Sequence, residues 1–283
     1  MKKIDLHTHT TASDGIYSSK ELIDLAVRND VTAMAITDHD TVDGLPEAVE
    51  YARSLKFKLY PGVEFSVDHE PGSFHLLGID IDCRHEGLRS EVRRLAHHRE
   101  TRAERIIDDL KKHGIAIPLE EVLAESDGGS IGRPHVARVM VNHGYAANIK
   151  DIFKKYLVAG KPGYVRKERV RLDVAISLIK DSGGIPVIAH PISLGFAGSG
   201  AFEAFLEDMM ARGIEGIEAF AAMHTPEQAG EYLAIAASRN LIVTGGSDFH
   251  GDKDEIIGNY AKDRPIPIEL YDKLEAYIRA GKK

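Results

Sequence analysis

Short apolar runs recur along this 283-residue chain, and most of them stop at a histidine or a carboxylate. Ile4 and Leu6 alternate with Asp5 and His7, the period of a short strand, and the i, i+2 spacing of His7 and His9 points both imidazoles to one side. Ser18 and Glu21 form a capping-box pattern that opens a helix reaching about Asn29, with Leu22, Ile23, Ala26 and Val27 as its apolar stripe. Val31 to Ile36 suits an interior strand and runs into Thr37-Asp38-His39-Asp40. A helix from about Leu45 to Leu55 then leads to a strand, Lys58 to Val63, that closes on Glu64. This strand–helix–strand–helix–strand opening predicts a parallel sheet or barrel.

The pattern then changes. Pro71-Gly72 is a turn, and His75 starts the next apolar run, Leu76 to Ile81, instead of ending it. An antiparallel hairpin resolves this, because it returns His75 to the rim that carries Glu64. Residues 86–165 are helical in pattern, with segments at Leu88 to Lys112, Leu119 to Ala124, Pro134 to Asn142 and Ile149 to Tyr156. Strands resume at Ile185 to Ala189, leading into His190-Pro191. Gly216 to Ala219 follows, with His224 shortly after, and Leu241 to Thr244 feeds Gly245-Gly246-Ser247-Asp248-Phe249-His250. A helix from about Pro267 to Ala280 closes the chain. The expectation is an α/β barrel made of residues 1–85 and 166–283, interrupted by an all-helical insertion, residues 86–165.

Composition changes this picture in three respects. A net charge of −8 argues against holding nucleic acid by bulk electrostatics, though not against an anionic substrate if divalent ions line the pocket. No run reaches membrane-spanning length and Asp5 breaks the basic start, so neither a membrane span nor a secretory signal is expected. The single Cys83 cannot form an internal disulfide, so the expected compartment is the cytoplasm. Fourteen histidines is a high number for this length and calls for a chemical explanation.

In α/β barrels the chemistry gathers at the carboxyl ends of the strands. His7, His9, His39, Glu64, His190, Asp248 and His250 all fall there, the hairpin adds His75, and Asp14 follows in the first loop. These nine candidate ligands are enough for two or three divalent ions. Nitrogen and oxygen donors without thiolate suit Mn²⁺, Fe²⁺ or Zn²⁺ better than Ca²⁺ or Mg²⁺. His7 and His9 are expected to share one ion with Glu64 and Asp248. A bridging Glu64 would hold two ions close, so that a shared water becomes hydroxide near neutral pH and attacks phosphorus or a carbonyl carbon. Hydrolysis is the expected reaction class.

The segments Asp5-Leu6-His7-Thr8-His9-Thr10, Thr37-Asp38-His39, Gly62-Val63-Glu64, His75, Ala189-His190-Pro191 and Ser247-Asp248-Phe249-His250 resemble the PHP (polymerase and histidinol phosphatase) family along nearly the whole chain. Ser130-Ile131-Gly132-Arg133-Pro134-His135 and Lys161-Pro162-Gly163-Tyr164-Val165 are similar to the branch of 3′,5′-nucleoside bisphosphate phosphatases, whose relatives also trim short RNA from its 5′ end. The resemblance implies a distorted (β/α)7 barrel, two or three ions, and removal of a 5′ phosphate or nucleotide; Mn²⁺ is the first expectation for the metal. It also favours His224 as a proton donor or phosphate ligand, beside Asp248 and His190 as the residues on which turnover depends.

The insertion has its own physical case for a phosphate-rich substrate. Pro134 suits a first helical turn, so Ser130, Gly132 and free amides would sit at a helix amino terminus that attracts an anion. Arg133 could clamp a second phosphate with two parallel hydrogen bonds and His135 could add a donor. The alternative is an ordinary capped helix with Arg133 exposed. Tyr164 could stack on a base or pack on the barrel. The run Lys161, Arg166, Lys167, Arg169 and Arg171, against Glu168 alone, could guide single-stranded RNA or be a solvated connector. His69, His85, His97, His98, His113 and His143 read as surface or packing residues. Competing functional readings are a histidinol-phosphatase-like monoesterase, an amidohydrolase, and a noncatalytic metal-binding module. No obligatory protein partner is expected.

Overall fold

The computed structural model describes residues 2–69, 72–125, 132–166, 168–196 and 199–281. Seven strands form one sheet in chain order: β1 (Lys3–Asp5), β2 (Val31–Ile36), β3 (Lys58–Val67), β4 (Phe74–Ile79), β5 (Ile185–Ile188), β6 (Gly216–Ala221) and β7 (Ile242–Gly246). The helices are α1 (Ser19–Arg28), α2 (Leu45–Leu55), α3 (Glu86–Lys112), α4 (Leu119–Ala124), α5 (Arg133–Asn142), α6 (Ile149–Ile152), α7 (Leu172–Asp181), α8 (Ser199–Arg212), α9 (Pro226–Ser238) and α10 (Glu269–Arg279). A two-stranded ribbon, β8 (Asn259–Tyr260) with β9 (Arg264–Pro265), precedes α10. No described helix is long and apolar enough to cross a membrane.

The chain divides into two compact units, Met1–Val92 with Arg169–Lys283, and Arg93–Glu168. In the first, β4 runs antiparallel to both neighbours and every other adjacent pair is parallel. The end strands meet where Leu6 N–H donates to the Gly245 carbonyl at 2.9 Å and Thr8 bridges Phe249, so the sheet nearly closes into a barrel. Alternate residues fill one core: Ile4 and Leu6, Ala33 and Ala35, Leu77 and Ile79, Ile185 and Val187. Leu270 and Leu274 of α10 pack on the same core, and Tyr60 within it sends its hydroxyl to Glu275 Oε1 at 2.6 Å.

The second unit has a separate core of Ala103, Ile106, Leu110, Val122, Val136, Val139, Met140, Ile152 and Leu157. Its described residues are helical or loop. The segment read as one helix from Ile149 is a single α-turn, α6, continued by a π-turn at Phe153–Leu157.

Local signals decide several boundaries. Ser18 and Glu21 close the capping box on α1, with Ser18 N–H donating to Glu21 Oε2 at 2.9 Å. The stripe differs by one residue, since Leu22, Ile23 and Ala26 are buried but Val27 is 49% exposed. The strand ending at Glu64 in the sequence reading continues to Val67, because the hairpin partner β4 pairs it as far as Phe74. The turn residue Pro71 lies outside the described residues. Helices α7, α8 and α9 went unassigned from sequence; α8 and α9 are rich in alanine and glycine, so their 3.6-residue apolar period is weak.

Candidate metal centre

The rim is assembled by strand ends. Because β4 is reversed, Ser66 faces His75 and Glu64 faces Leu77, which sets His75 diagonally from Glu64 on the same side of the sheet. His75 Nδ1 lies 2.8 Å from Glu64 Oε1, and His190 Nε2, just beyond β5, lies 3.2 Å from the same oxygen. The other Glu64 oxygen meets His39 Nδ1 at 2.8 Å, His7 Nε2 at 3.3 Å and His9 Nε2 at 3.4 Å. Asp248 Oδ1 is 3.3 Å from His7 Nε2 and 3.1 Å from His9 Nε2. Around Asp14, His250 Nε2 stands at 3.4 Å and His39 Nε2 at 3.9 Å.

Three groups could hold an ion: His7, His9, Glu64 and Asp248; His39, Glu64 and His75; and His9, Asp14, His39 and His250. His190 joins them through Glu64. The structure therefore brings all nine sequence-identified ligand residues to one rim, with Glu64 at its middle.

The donor set fits divalent ions on several counts. Donors about 3.0 to 3.4 Å apart span the edges of octahedral or tetrahedral coordination with bonds of about 2.1 Å. His7 Nε2, His9 Nδ1 and Glu64 Oε2 are buried yet make no hydrogen bond. The rings are also oriented for ligation. His7 Nδ1 lies 3.1 Å from Glu218 Oε1, which turns its Nε2 toward Glu64 and Asp248. Ser193 Oγ donates its own hydrogen to the Ser73 carbonyl at 3.0 Å, so it accepts from His190 Nδ1–H at 2.9 Å and turns His190 Nε2 toward Glu64. His250 Nδ1–H donates to the Asp248 carbonyl at 2.8 Å.

The charges reinforce one another. Burial would raise Glu64, but His39, His7 and His75 around it hold its carboxyl well below the ordinary range. Burial likewise opposes charging of His250, and the hydrogen bond to Asp14 with the charge of Asp248 outweighs it, pushing the ring up to about 9. His9 is shifted the other way, chiefly by burial.

Two of the nine rim residues sit on strained backbone. His190 has φ 24° and Asp248 φ 51°, conformations that side-chain-bearing residues rarely adopt and that persist where surrounding bonds over-determine them. Those bonds come from residues that sequence reasoning missed. Glu218 on β6 accepts His7 Nδ1–H and, at 2.7 Å, the backbone N–H of His190. Asp5 accepts Ser247 N–H at 3.0 Å and Gly258 N–H at 2.6 Å, and also the Ser247 hydroxyl; burial raises its carboxyl to about 6 against these bonds. Asp38 accepts from Thr10 N–H, Thr10 Oγ1 and Ser13 Oγ at 2.6–2.7 Å, pinning the loop that carries Asp14. A carboxylate inside an otherwise apolar strand was the available signal for Glu218, in the run Gly-Ile-Glu-Ala.

His224 stands apart from the three groups. It is 1% exposed, its Nδ1–H donates to the Ala219 carbonyl at 2.9 Å, and its Nε2 is unpartnered. Burial lowers its pKa, so the ring presents a lone pair, whereas a proton donor would need the charged form.

In the helical unit, Ser130 lies outside the described residues. Arg133 opens α5; its Nη1 donates to the Leu157 carbonyl at 2.9 Å and its guanidinium stands 5.7 Å from the Tyr164 and Phe153 ring centres. Part of the fork is thus already engaged by backbone. Gly132 N–H donates to His135 Nδ1 at 2.9 Å, which places the His135 proton on Nε2 as a neutral donor. The basic run is less bare than its sequence suggests. Arg171 pairs with Asp173 at 2.8 Å, Arg169 reaches Asp68 at 4.0 Å, and Lys167 lies outside the described residues.

Fold and rim together define a barrel enzyme equipped to hold divalent ions. Comparison with known proteins narrows the class: a PHP domain profile matches residues 5–165. The 3′,5′-nucleoside bisphosphate phosphatase of Chromobacterium violaceum is 33% identical over 281 residues, 98% of each chain. The 5′-3′ exoribonuclease Rnm of Salmonella typhimurium is 36% identical over 252 residues, 87% of this chain and 84% of that one. A solved structure from Bifidobacterium adolescentis, described as a metal-dependent phosphoesterase, superposes with a TM-score of 0.77 at 29% identity, covering 97% of this chain and 96% of that one. The chain belongs to the PHP family and is a phosphoric ester hydrolase.

Proposed function

We propose that this enzyme removes the 5′ phosphate of nucleoside 3′,5′-bisphosphates and, as a second activity, trims short RNA from its 5′ end. One observation carries the substrate reading: besides a rim that could hold ions at a scissile phosphate, the chain has a cation, Arg133, fixed by a carbonyl and two aromatic rings and suited to a further phosphate. A simple monoester such as histidinol phosphate would not need it. The names of the two curated relatives, one from Chromobacterium violaceum and one from Salmonella typhimurium, support the same pair of substrates.

The nine rim residues would hold two or three divalent ions, Mn²⁺ first and Fe²⁺ or Zn²⁺ after it, as the nitrogen and oxygen donor set suits. Ions held there would supply Lewis acidity and a nucleophile at neutral pH. The chain's own part is positioning. Glu218 and Ser193 keep the His7 and His190 rings turned with their Nε2 atoms inward. His224 Nε2 suits accepting a hydrogen bond or proton from the attacking water. Arg133, with His135 Nε2–H as a second donor, would grip the 3′ phosphate, and Tyr164 would offer a ring face to the base. The weaker RNA claim rests on the relatives, because Arg169 and Arg171 spend part of their charge on Asp68 and Asp173.

The test is phosphate release from adenosine 3′,5′-bisphosphate with added Mn²⁺, in wild type, Asp248→Asn and His190→Ala. Turnover should fall by about 10²-fold or more in each variant, as loss of an ion-holding group predicts. Undiminished release in both would sink the proposal. A panel of monophosphates and amides run alongside separates the monoesterase and amidohydrolase alternatives.

A further inference from the structure

We infer that Arg102 and Arg133 of the helical unit together form a receptor for a phosphate or closely similar oxyanion, with Arg102 the residue not otherwise assigned a role. The inference rests on the proposed substrate having a second phosphate, and extends it to a new residue.

Arg102 lies on α3 and is 8% exposed. Its Nε and Nη2 donate to the Val165 carbonyl at 2.9 and 2.7 Å, which orients the guanidinium but does not neutralise it. Among the described residues it has no carboxylate partner. Burial first, and then the like charges of Arg133 and Arg105, lower its pKa to about 10 against an opposing pull from Tyr164. Arg133 is served in the same way, by the Leu157 carbonyl and two ring faces. Nearby described acids are committed elsewhere: Glu168 to Arg94 at 2.6 Å and His98 at 3.4 Å, and Glu125 to Arg138 at 2.7 Å.

An unpaired buried cation is unfavourable, and a half-buried cation of the same sign near it makes it more so. Such a pair persists where its counter-ion is a ligand, and planar guanidinium forks match oxyanions bidentately. The loop between the two arginines is preformed. Gly163 N–H donates to the Tyr156 carbonyl at 2.8 Å, and a Cβ on Gly163 would fall 2.9 Å from the Leu110 and Leu157 side chains. An anion bound there would need to order little of the chain.

The alternative is a structural Arg102 that merely holds Val165. The two roles separate in a melting experiment on the full chain treated with chelator, so that no ion binds the probe, with inorganic phosphate titrated in. Wild type should gain melting temperature saturably. Arg102→Gln should melt at or above wild type without phosphate, since a repelled charge is gone, and lose the phosphate-dependent gain. With Mn²⁺ restored, its KM for adenosine 3′,5′-bisphosphate should rise about tenfold or more while kcat for adenosine 5′-monophosphate holds, the loss expected for a charge-assisted hydrogen bond. Arg102→Lys, which keeps charge without the fork, should retain part of the gain.

A variant that melts lower yet still responds to phosphate overturns the inference, as does unfolding of both variants. A wild type that does not turn over the bisphosphate, but whose phosphate-dependent gain is lost in Arg102→Gln, overturns the substrate reading and leaves the receptor standing. Normal turnover with an unchanged phosphate response in Arg102→Gln does the reverse.

Discussion

Replacing Glu218 by Gln probes the part of the centre that holds the ligands instead of the ligands themselves. One Glu218 oxygen takes the His7 Nδ1–H at 3.1 Å, and the other takes the His190 backbone N–H at 2.7 Å, at a residue whose φ of 24° is already unfavourable. Glutamine has nearly the same shape but only one acceptor oxygen, so in either orientation its amide NH₂ faces one of these two buried donors. A lost hydrogen bond to a charged acceptor costs about 1.5–3 kcal/mol. At about 1.4 kcal/mol per decade, that is roughly a 10- to 100-fold weaker hold on the ion shared by His7, the range usual for partners that orient metal-ligating histidines. The assay is Mn²⁺ affinity by competition with a chromophoric chelator, with a melting curve to confirm folding. Affinity within about twofold of wild type in a folded Glu218→Gln would refute the reasoning and leave Glu218 as a space-filling residue.

Three other outcomes follow from the same geometry. A Cβ added at Gly246 would overlap His7 Cβ and come within 2.7 Å of Glu218 Oε1, so Gly246→Ala should lose about 1–3 kcal/mol of stability and most of its activity, read by denaturant melts and phosphate release. Mn²⁺ at about a hundredfold over its Kd should raise the melting temperature by roughly 5–10 °C over the chelator-treated chain, and an unchanged temperature would count against an ion-binding rim. Glu275 is held below its ordinary value of 4.5, first by the Lys58 hydrogen bond and then by Tyr60, so its contribution is present above pH 4.5 and disappears as pH falls through the depressed value. Glu275→Ala, which strands the Tyr60 hydroxyl, should cost about 1–3 kcal/mol at pH 7 and progressively less in acid, measured by urea unfolding across pH.

Much of this protein is local in origin and so was legible in its sequence. The Ser18 capping box, the apolar runs at Val31 and Ile185, and the habit of each run ending in His, Asp or Glu depend on neighbours within a few residues, and they pointed to the strands, the first helices and the nine residues that meet at the rim. Even the reversed β4 was implied, because His75 at the start of a run makes sense only if that strand returns to the rim. Weakly periodic helices such as α8 escaped, as did the π-turn after α6. Tertiary structure alone decided what surrounds the ligands. Glu218 is 211 residues from His7 and Asp5 is 242 from Ser247, and no local pattern ties such partners together; they meet because β6 and β7 close the sheet onto β1. The same holds for charge. Arg169 and Arg171 read as part of one basic run until the fold supplies Asp68 to the first, whereas Arg102, unremarkable among the many charges of α3, becomes a buried cation on the Val165 carbonyl. A sequence records which groups a chain owns, but the free energy of each depends on which others folding brings within a few ångströms.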